Sequence, residues 1–153
     1  MERTLSTGET DALLQSEVFG SLGCADGSRP YVLPLAYVYH ENVIYGQTTE
    51  GKKTDILRRN PSVCFQVQRQ GEGEWRSAMC WGTFEELDFE KLEKGEAAQI
   101  VALLTKRLSG IQKNVGIVIP FSFADGAAPL TLNSKKSTLF RILVTEKTGR
   151  LFS

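Results

Sequence analysis

Between Pro30 and Phe65 the apolar positions come in short alternating runs separated by turn residues. Pro30 to Tyr39 and Val43 to Gln47 read as strands joined by a tight His40-Glu41-Asn42 turn, because a period of two sends successive side chains to opposite faces of a sheet. Upstream, Val18 to Cys24 reads as a strand and Ala25-Asp26-Gly27-Ser28 as a turn, so that the segment through Tyr39 forms an antiparallel hairpin. Downstream, Ser62 to Arg69 alternates again, Gln70-Gly71-Glu72-Gly73-Glu74 is a polar loop, and Trp75 to Leu87 is a long strand with Gly82 as a bulge or bend. A last strand, Thr138 to Lys147, alternates around Phe140, Ile142 and Val144 and ends at Gly149.

Helical spacing is confined to three places. Ser6-Thr7-Gly8-Glu9 has the spacing of a capping box ahead of Leu13 and Leu14. Thr48 or Thr49 is placed to cap a helix from Gly51 to Arg59, which Asn60-Pro61 ends because proline disfavours helix at the preceding residue. From Asp88 to about Leu108, Phe89, Leu92, Ile100, Leu104 and Leu108 approximate one helical face, weakened early by Gly95 and stopped at Gly110. Ile111 to Lys136, with Pro120, Gly126 and Pro129, reads as irregular chain that covers a site. The expected fold is mainly β, an antiparallel barrel with helical covers, in a single domain over residues 1–153.

Charge narrows the partners. Eighteen basic residues balance eighteen acidic ones, so no global field favours nucleic acid or an anionic membrane, and an anion site must be local. Cys24, Cys64 and Cys80 are widely spaced with no C-x-x-C pair, which reads as free thiols in a reducing compartment. The amino terminus begins with mixed charges and has no apolar run of signal-peptide length, and no stretch approaches a membrane span, so a cytoplasmic location is expected.

Lys52 and Lys53 fall on the first turn of the predicted short helix, where open N–H groups and the positive end of the dipole favour an anion such as phosphate. On the long strand Trp75, Ser77, Met79 and Trp81 share one face and Arg76, Ala78, Cys80 and Gly82 the other. Either tryptophan offers a flat surface for a planar ring, and for Trp81 ordinary packing is the favoured reading. Arg58 and Arg59 are expected at the solvent-facing helix end, within reach of a substrate cleft. The one histidine, His40, sits in a turn, and neither a Ser-His-Asp arrangement nor a metal-ligand spacing is present.

The segment Gly51-Lys52-Lys53-Thr54-Asp55-Ile56-Leu57-Arg58-Arg59-Asn60-Pro61, the strands before it, and the later Trp75-Arg76-Ser77 and Gly82 resemble the FMN-binding split barrels of the pyridoxamine 5'-phosphate oxidase-like superfamily. Within it the similarity is to the nitroimidazole-resistance (Nim-type) branch. The resemblance implies an FMN cofactor at the interface of a homodimer, with small molecules as electron donor and acceptor. It implies that Tyr31, Val32, Leu33, Pro34, Leu35 and Ala36 run beside the flavin ring and offer it backbone groups. Tyr45, Gly46 and Gln47 lie along the cofactor, Lys52 and Lys53 grip its phosphate, and Trp75 and Ser77 approach, Ser77 from the partner subunit. Two departures stand out. The segment Phe140 to Gly149 lacks the tryptophan and histidine of the vitamin B6 substrate signature, and Gln68 to Glu74 lacks a histidine carried by some Nim-type members. The expected function is an FMN-dependent oxidoreductase with no named acid or base; the alternatives are a flavin-sensing or carrier module and, on the same barrel, haem or deazaflavin binding.

Overall fold

Alternating apolar side chains close the chain into a barrel. The computed structural model describes residues 1–88, 90–115, 123–124, 128–129 and 137–153. In order these form β1 (Glu2–Thr4), α1 (Thr7–Ser16), β2 (Phe19–Asp26), β3 (Arg29–His40), β4 (Val43–Thr49) and α2 (Lys52–Arg59). There follow β5 (Ser62–Gly71), β6 (Glu74–Glu86), α3 (Lys94–Val115), the short pair β7 (Phe123–Ala124) and β8 (Ala128–Pro129), and β9 (Ser137–Phe152).

The main sheet runs β1-β9-β4-β3-β2-β5-β6, and β6 pairs again with β9 to close it. Its pairings are antiparallel. The meander β2-β3-β4 is followed, through α2, by β5 returning beside β2, a Greek-key-like path. Closure leaves few free edges, so most strand N–H and C=O groups are paired.

Leu22, Leu33, Tyr37, Phe65, Cys80 and Phe140 fill the interior. Gly20 and Gly46 are small because the Phe65 and Phe140 rings occupy the space a Cβ would need. Near Tyr37 and Tyr39, α1 seals the barrel with Leu13 and Leu14, and the Tyr37 hydroxyl donates to the Leu14 carbonyl at 2.5 Å. Toward the other end of β3, α2 inserts Ile56 and Leu57. Each such leucine or isoleucine contributes about 1.5–3 kcal/mol by leaving water. Outside the barrel, Ile100 and Leu104 of α3 pack on Val38, Tyr45 and Leu139. No described helix is long and apolar enough to cross a membrane.

The Ser6–Glu9 capping box forms as its spacing predicts, with both reciprocal bonds at 3.1 Å. Gly82 sits at the register shift of the β6–β9 pair, where a Cβ would collide with the Leu143 carbonyl oxygen. Other boundaries differ from expectation. Gly51, not Thr48 or Thr49, is the N-cap of α2, and no side chain caps it. The last strand runs through Gly149 to Phe152, since Gly149 pairs with Ala78 while its missing Cβ admits Leu5 and Thr10. α3 starts at Lys94 rather than Asp88 and continues past Gly110 to Val115, so Gly95 falls in its tolerant first turn. Phe89, which the sequence placed on that helix face, lies outside the described residues, as do 116–122, 125–127 and 130–136 of the expected covering loop.

Candidate functional site

The barrel is split along one seam. β2 pairs with β3 from Asp26↔Arg29 to Phe19↔Ala36, whereas β4 pairs with β3 only from Tyr37↔Gly46 to His40↔Val43. β4 pairs with β9 along its whole length, from Val43↔Leu143 to Thr49↔Ser137, so beyond Gly46 it stays with β9 and leaves β3. From Arg29 to Ala36, therefore, β3 has no strand neighbour on its β4-side edge among the described residues, which leaves the backbone groups facing that way available to a ligand.

The predicted flavin strand divides by face. Leu33 is buried in the barrel and Tyr31 and Leu35 pack against that core, whereas Val32 (75% exposed) and Pro34 face outward and Ala36 lies against the α3-covered cluster. A ligand in the split would meet backbone and these small outward side chains. At the apex, where β4 leaves β3, the Gln47 Nε2 is buried without a hydrogen-bond partner. A buried amide donor left unpaired costs about 1–3 kcal/mol, which makes it a fitting acceptor-seeking group for a polar ring edge. Tyr45 is buried beneath α3, where burial pushes its phenol up, and Gly46 makes room for Phe140 inside the barrel.

Lys52 and Lys53 project from the first turn of α2, both exposed, with uncapped helix N–H groups beside them. Lys52 Nζ lies 5.5 Å from the centre of the Tyr31 ring, which ties the helix start to the open end of the split. Arg29, which the sequence reading did not single out, lies with its guanidinium carbon 5.4 Å from the same ring. Arg58 is not free to edge a cleft: it donates to Glu50 at 2.7 Å and Glu86 at 2.5 Å, and these bonds, Glu86 first, raise its pKa. Arg59 pairs with Asp26 at 3.4 Å.

The remaining predicted residues lie elsewhere. Trp75 and Ser77 are on the outward face of β6, where Trp75 stacks near Phe152 with ring centres 5.4 Å apart. Trp81 of the same face is opposite Cys64, itself opposite Gly23 and then Val32. Six residues of strand separate Trp75 from Trp81, about 20 Å, so one chain does not bring Trp75 to the Lys52 end. Cys80 faces inward, and burial raises its thiol to about 11. His40 lies beyond the split, its Nε2 3.3 Å from Gln99 Nε2. Among the described residues no group of three or more His, Cys, Asp or Glu is placed to hold a metal.

Comparison with known proteins places this geometry in context. A family model described as pyridoxamine 5'-phosphate oxidase matches residues 6–124. The fold is shared with the crystal structure of an FAD-binding protein from Mesorhizobium loti, 30% identical over 100% of this chain and 99% of the other, TM-score 0.76. A Bacteroides thetaiotaomicron protein provisionally assigned to 5-nitroimidazole antibiotic resistance is 19% identical over 99% and 88% of the two chains, TM-score 0.71, a likeness of fold. An uncharacterized Rhizobium meliloti (strain 1021) protein is 28% identical over 86 residues, which is 56% of this chain and 57% of that relative's own length.

Proposed function

The chain belongs to the pyridoxamine 5'-phosphate oxidase family, and from that premise we propose that it is a flavoprotein that holds FMN in the split between β3 and β4 and transfers electrons through it. The observation that carries this reading is the edge of β3 that has no strand partner among the described residues and ends at the buried, partnerless amide of Gln47. The open edge offers backbone donors and acceptors to a heteroaromatic ring, while Lys52 and Lys53 hold a phosphate. A bound flavin supplies hydride or single-electron chemistry without requiring an acid or base from the protein. What the chain contributes is binding, orientation and restricted access.

The described lining of the split carries no His, Asp or Glu aimed into it, which equally suits a module that carries or senses flavin without turnover. The family's named reaction is not part of the proposal. In the segment that lacks the B6 substrate signature, Phe140 and Ile142 are buried, and Arg141 is held by Glu85 at 2.7 Å and Glu96 at 2.8 Å. His40, engaged beyond the split, disfavours haem.

Purified protein is expected to show flavin absorbance or to quench FMN fluorescence saturably, and to oxidise NADH or NADPH with a nitroaromatic or quinone acceptor. Bound FMN without turnover would favour the carrier, and indifference to FMN would remove the flavin reading.

The proposal includes a second copy of the chain. Phe19, Val32, Trp75 and Trp81, each at least 40% exposed, lie on the outward face of the barrel sheet, and isolated proteins seldom expose such a surface without a partner. A twofold-related copy would cover it and bring its own Trp75 and Ser77 to the split. Sedimentation is expected to give a dimer that Val32→Asp shifts toward monomer; a monomeric parent protein would refute it.

A further inference from the structure

Trp75 stands at the hairpin end of β6, opposite Gln70 of β5 on one side and Phe152 of β9 on the other, so the three side chains share the outward face. Phe152 backs the indole, with ring centres 5.4 Å apart and planes 31° apart, yet 44% of the tryptophan remains exposed. The indole also lines, with Gln68 and Gln70, a cleft of 320 Å³. A second cleft of 320 Å³ shares Gln70 and Trp75 and runs round the hairpin past Gly73 and Glu74 to Ser153. Small-molecule sites begin near this size, at about 300 Å³.

The lining narrows the ligand. A flat ring already held by its neighbour lets a planar ligand stack at little further cost in ordering. The Gln70 amide has no hydrogen-bond partner among the described residues. An amide offers an acceptor beside a donor, the pair that the N6/N7 edge of adenine complements. Gln68 accepts from Gln66 Nε2 through its Oε1 at 3.3 Å, which leaves its own NH₂ group to donate. Among the lining residues Glu74 carries the one ionisable side chain, and its carboxylate lies 3.0 Å from Arg76 Nε. Neither an ammonium nor a phosphate therefore finds an unpaired opposite charge in the lining, and an uncharged base suits it.

We propose that the clefts at Trp75 form a purine-base site, in which the base stacks on the indole, its amino-bearing edge pairs with the Gln70 amide and Gln68 donates to a further acceptor. The lining shares no residue with the split between β3 and β4 of the same chain. In the dimer proposed above, Trp75 lies at the partner's split, and a base on the indole then sits beside that cofactor. Base binding is itself independent of the flavin reading, because stacking and the amide pair need only the hairpin.

The chain has two tryptophans, so Trp81→Phe leaves Trp75 as the sole indole reporter. In that protein, titrated with and without added FMN, adenosine is expected to quench the emission saturably in the millimolar range or tighter. Purine riboside, which lacks the amino group, is expected to bind about threefold or more weaker. Adding Gln70→Leu, an exposed substitution, should make the two affinities equal. Trp75→Ala, followed by equilibrium dialysis with adenosine and checked for folding by circular dichroism, should lose about fivefold or more. Emission that adenosine leaves unchanged would overturn the site, and so would equal affinity for adenosine and purine riboside before Gln70 is replaced. Quenching by riboflavin but not by adenosine would overturn it as well, assigning the cleft to the flavin ring.

Discussion

Replacing Lys52 and Lys53 together by alanine is expected to weaken FMN binding by about a hundredfold or more while moving riboflavin affinity by less than about threefold. Each charge-assisted contact to phosphate contributes roughly 1.5–3 kcal/mol, and every 1.4 kcal/mol is tenfold in affinity. The lower end applies because both lysines are exposed. Riboflavin has the same ring and ribityl chain without the phosphate, so it senses the split but not the cations. Neither lysine supports the core, since the buried residues of α2 are Thr54, Ile56 and Leu57. Thermal unfolding of the variant should therefore match the parent in the absence of cofactor. Parallel fluorescence titrations with the two ligands check the prediction, and equal losses for both would remove the phosphate role of the pair. Raising the salt concentration should erode the parent's FMN preference in the same direction.

The barrel was legible because its causes are local. Alternation from Pro30 to Phe65 reports which face is buried, the Ser6–Glu9 spacing reports a cap, and Gly82 reports a bulge whose crowding by Leu143 requires glycine. The extent of β9 was not legible for the opposite reason. Gly149 looks like a terminator in sequence, but here it is where Leu5 and Thr10 approach the sheet, a contact between the two ends of the chain. The cap of α2 was missed because Thr48 and Thr49 are spent in the β4–β9 ladder, leaving Gly51 to start the helix.

The site divides similarly. Lys52 and Lys53 stood out as a pair at a helix start, whereas Arg29 becomes visible only when α2 folds back over the β2–β3 hairpin and Lys52 meets the Tyr31 ring. Arg58 illustrates the converse: a basic residue at a helix end reads as solvent-facing, yet Glu50 from the β4–α2 link and Glu86 from the end of β6 pair it. The split itself is a property of register. Nothing in the alternation of β3 announces that its partner on one side stops at Tyr37.

The expected loss of stability is largest where α1 is pinned to the barrel. Lys147 Nζ, with its side chain 16% exposed, donates to Asp11 at 2.6 Å, Asn42 at 2.5 Å and the Tyr39 hydroxyl at 3.1 Å. The same hydroxyl donates to Asp11 at 2.7 Å. Burial alone would raise the Asp11 carboxyl, but the hydrogen bonds from Lys147 and Tyr39, together with the lysine charge, hold it below its ordinary value. Burial alone would lower Lys147, and the same contacts hold it above its own. Asp11→Leu strands that ammonium and is expected to cost about 3 kcal/mol, the low end for breaking a buried pair because Asp11 remains a third exposed. Asp11→Leu with Lys147→Met removes both charges and is expected to lose less than the single variant, a contrast that urea unfolding midpoints measure directly. A double variant at least as unstable as the single one would show that the pair is not what pins α1. The pH dependence carries the same sign. With its folded pKa depressed, Asp11 contributes stability above its unfolded value near 4, and that contribution fades as pH falls through the folded value. Lys147, raised, contributes below its unfolded value near 10.4 and loses that contribution as pH rises through the folded one. The double variant should therefore show shallower acid and alkaline limbs than the parent, whereas Asp11→Leu alone should flatten the acid limb and, having removed the carboxylate that holds Lys147 up, weaken the alkaline limb as well.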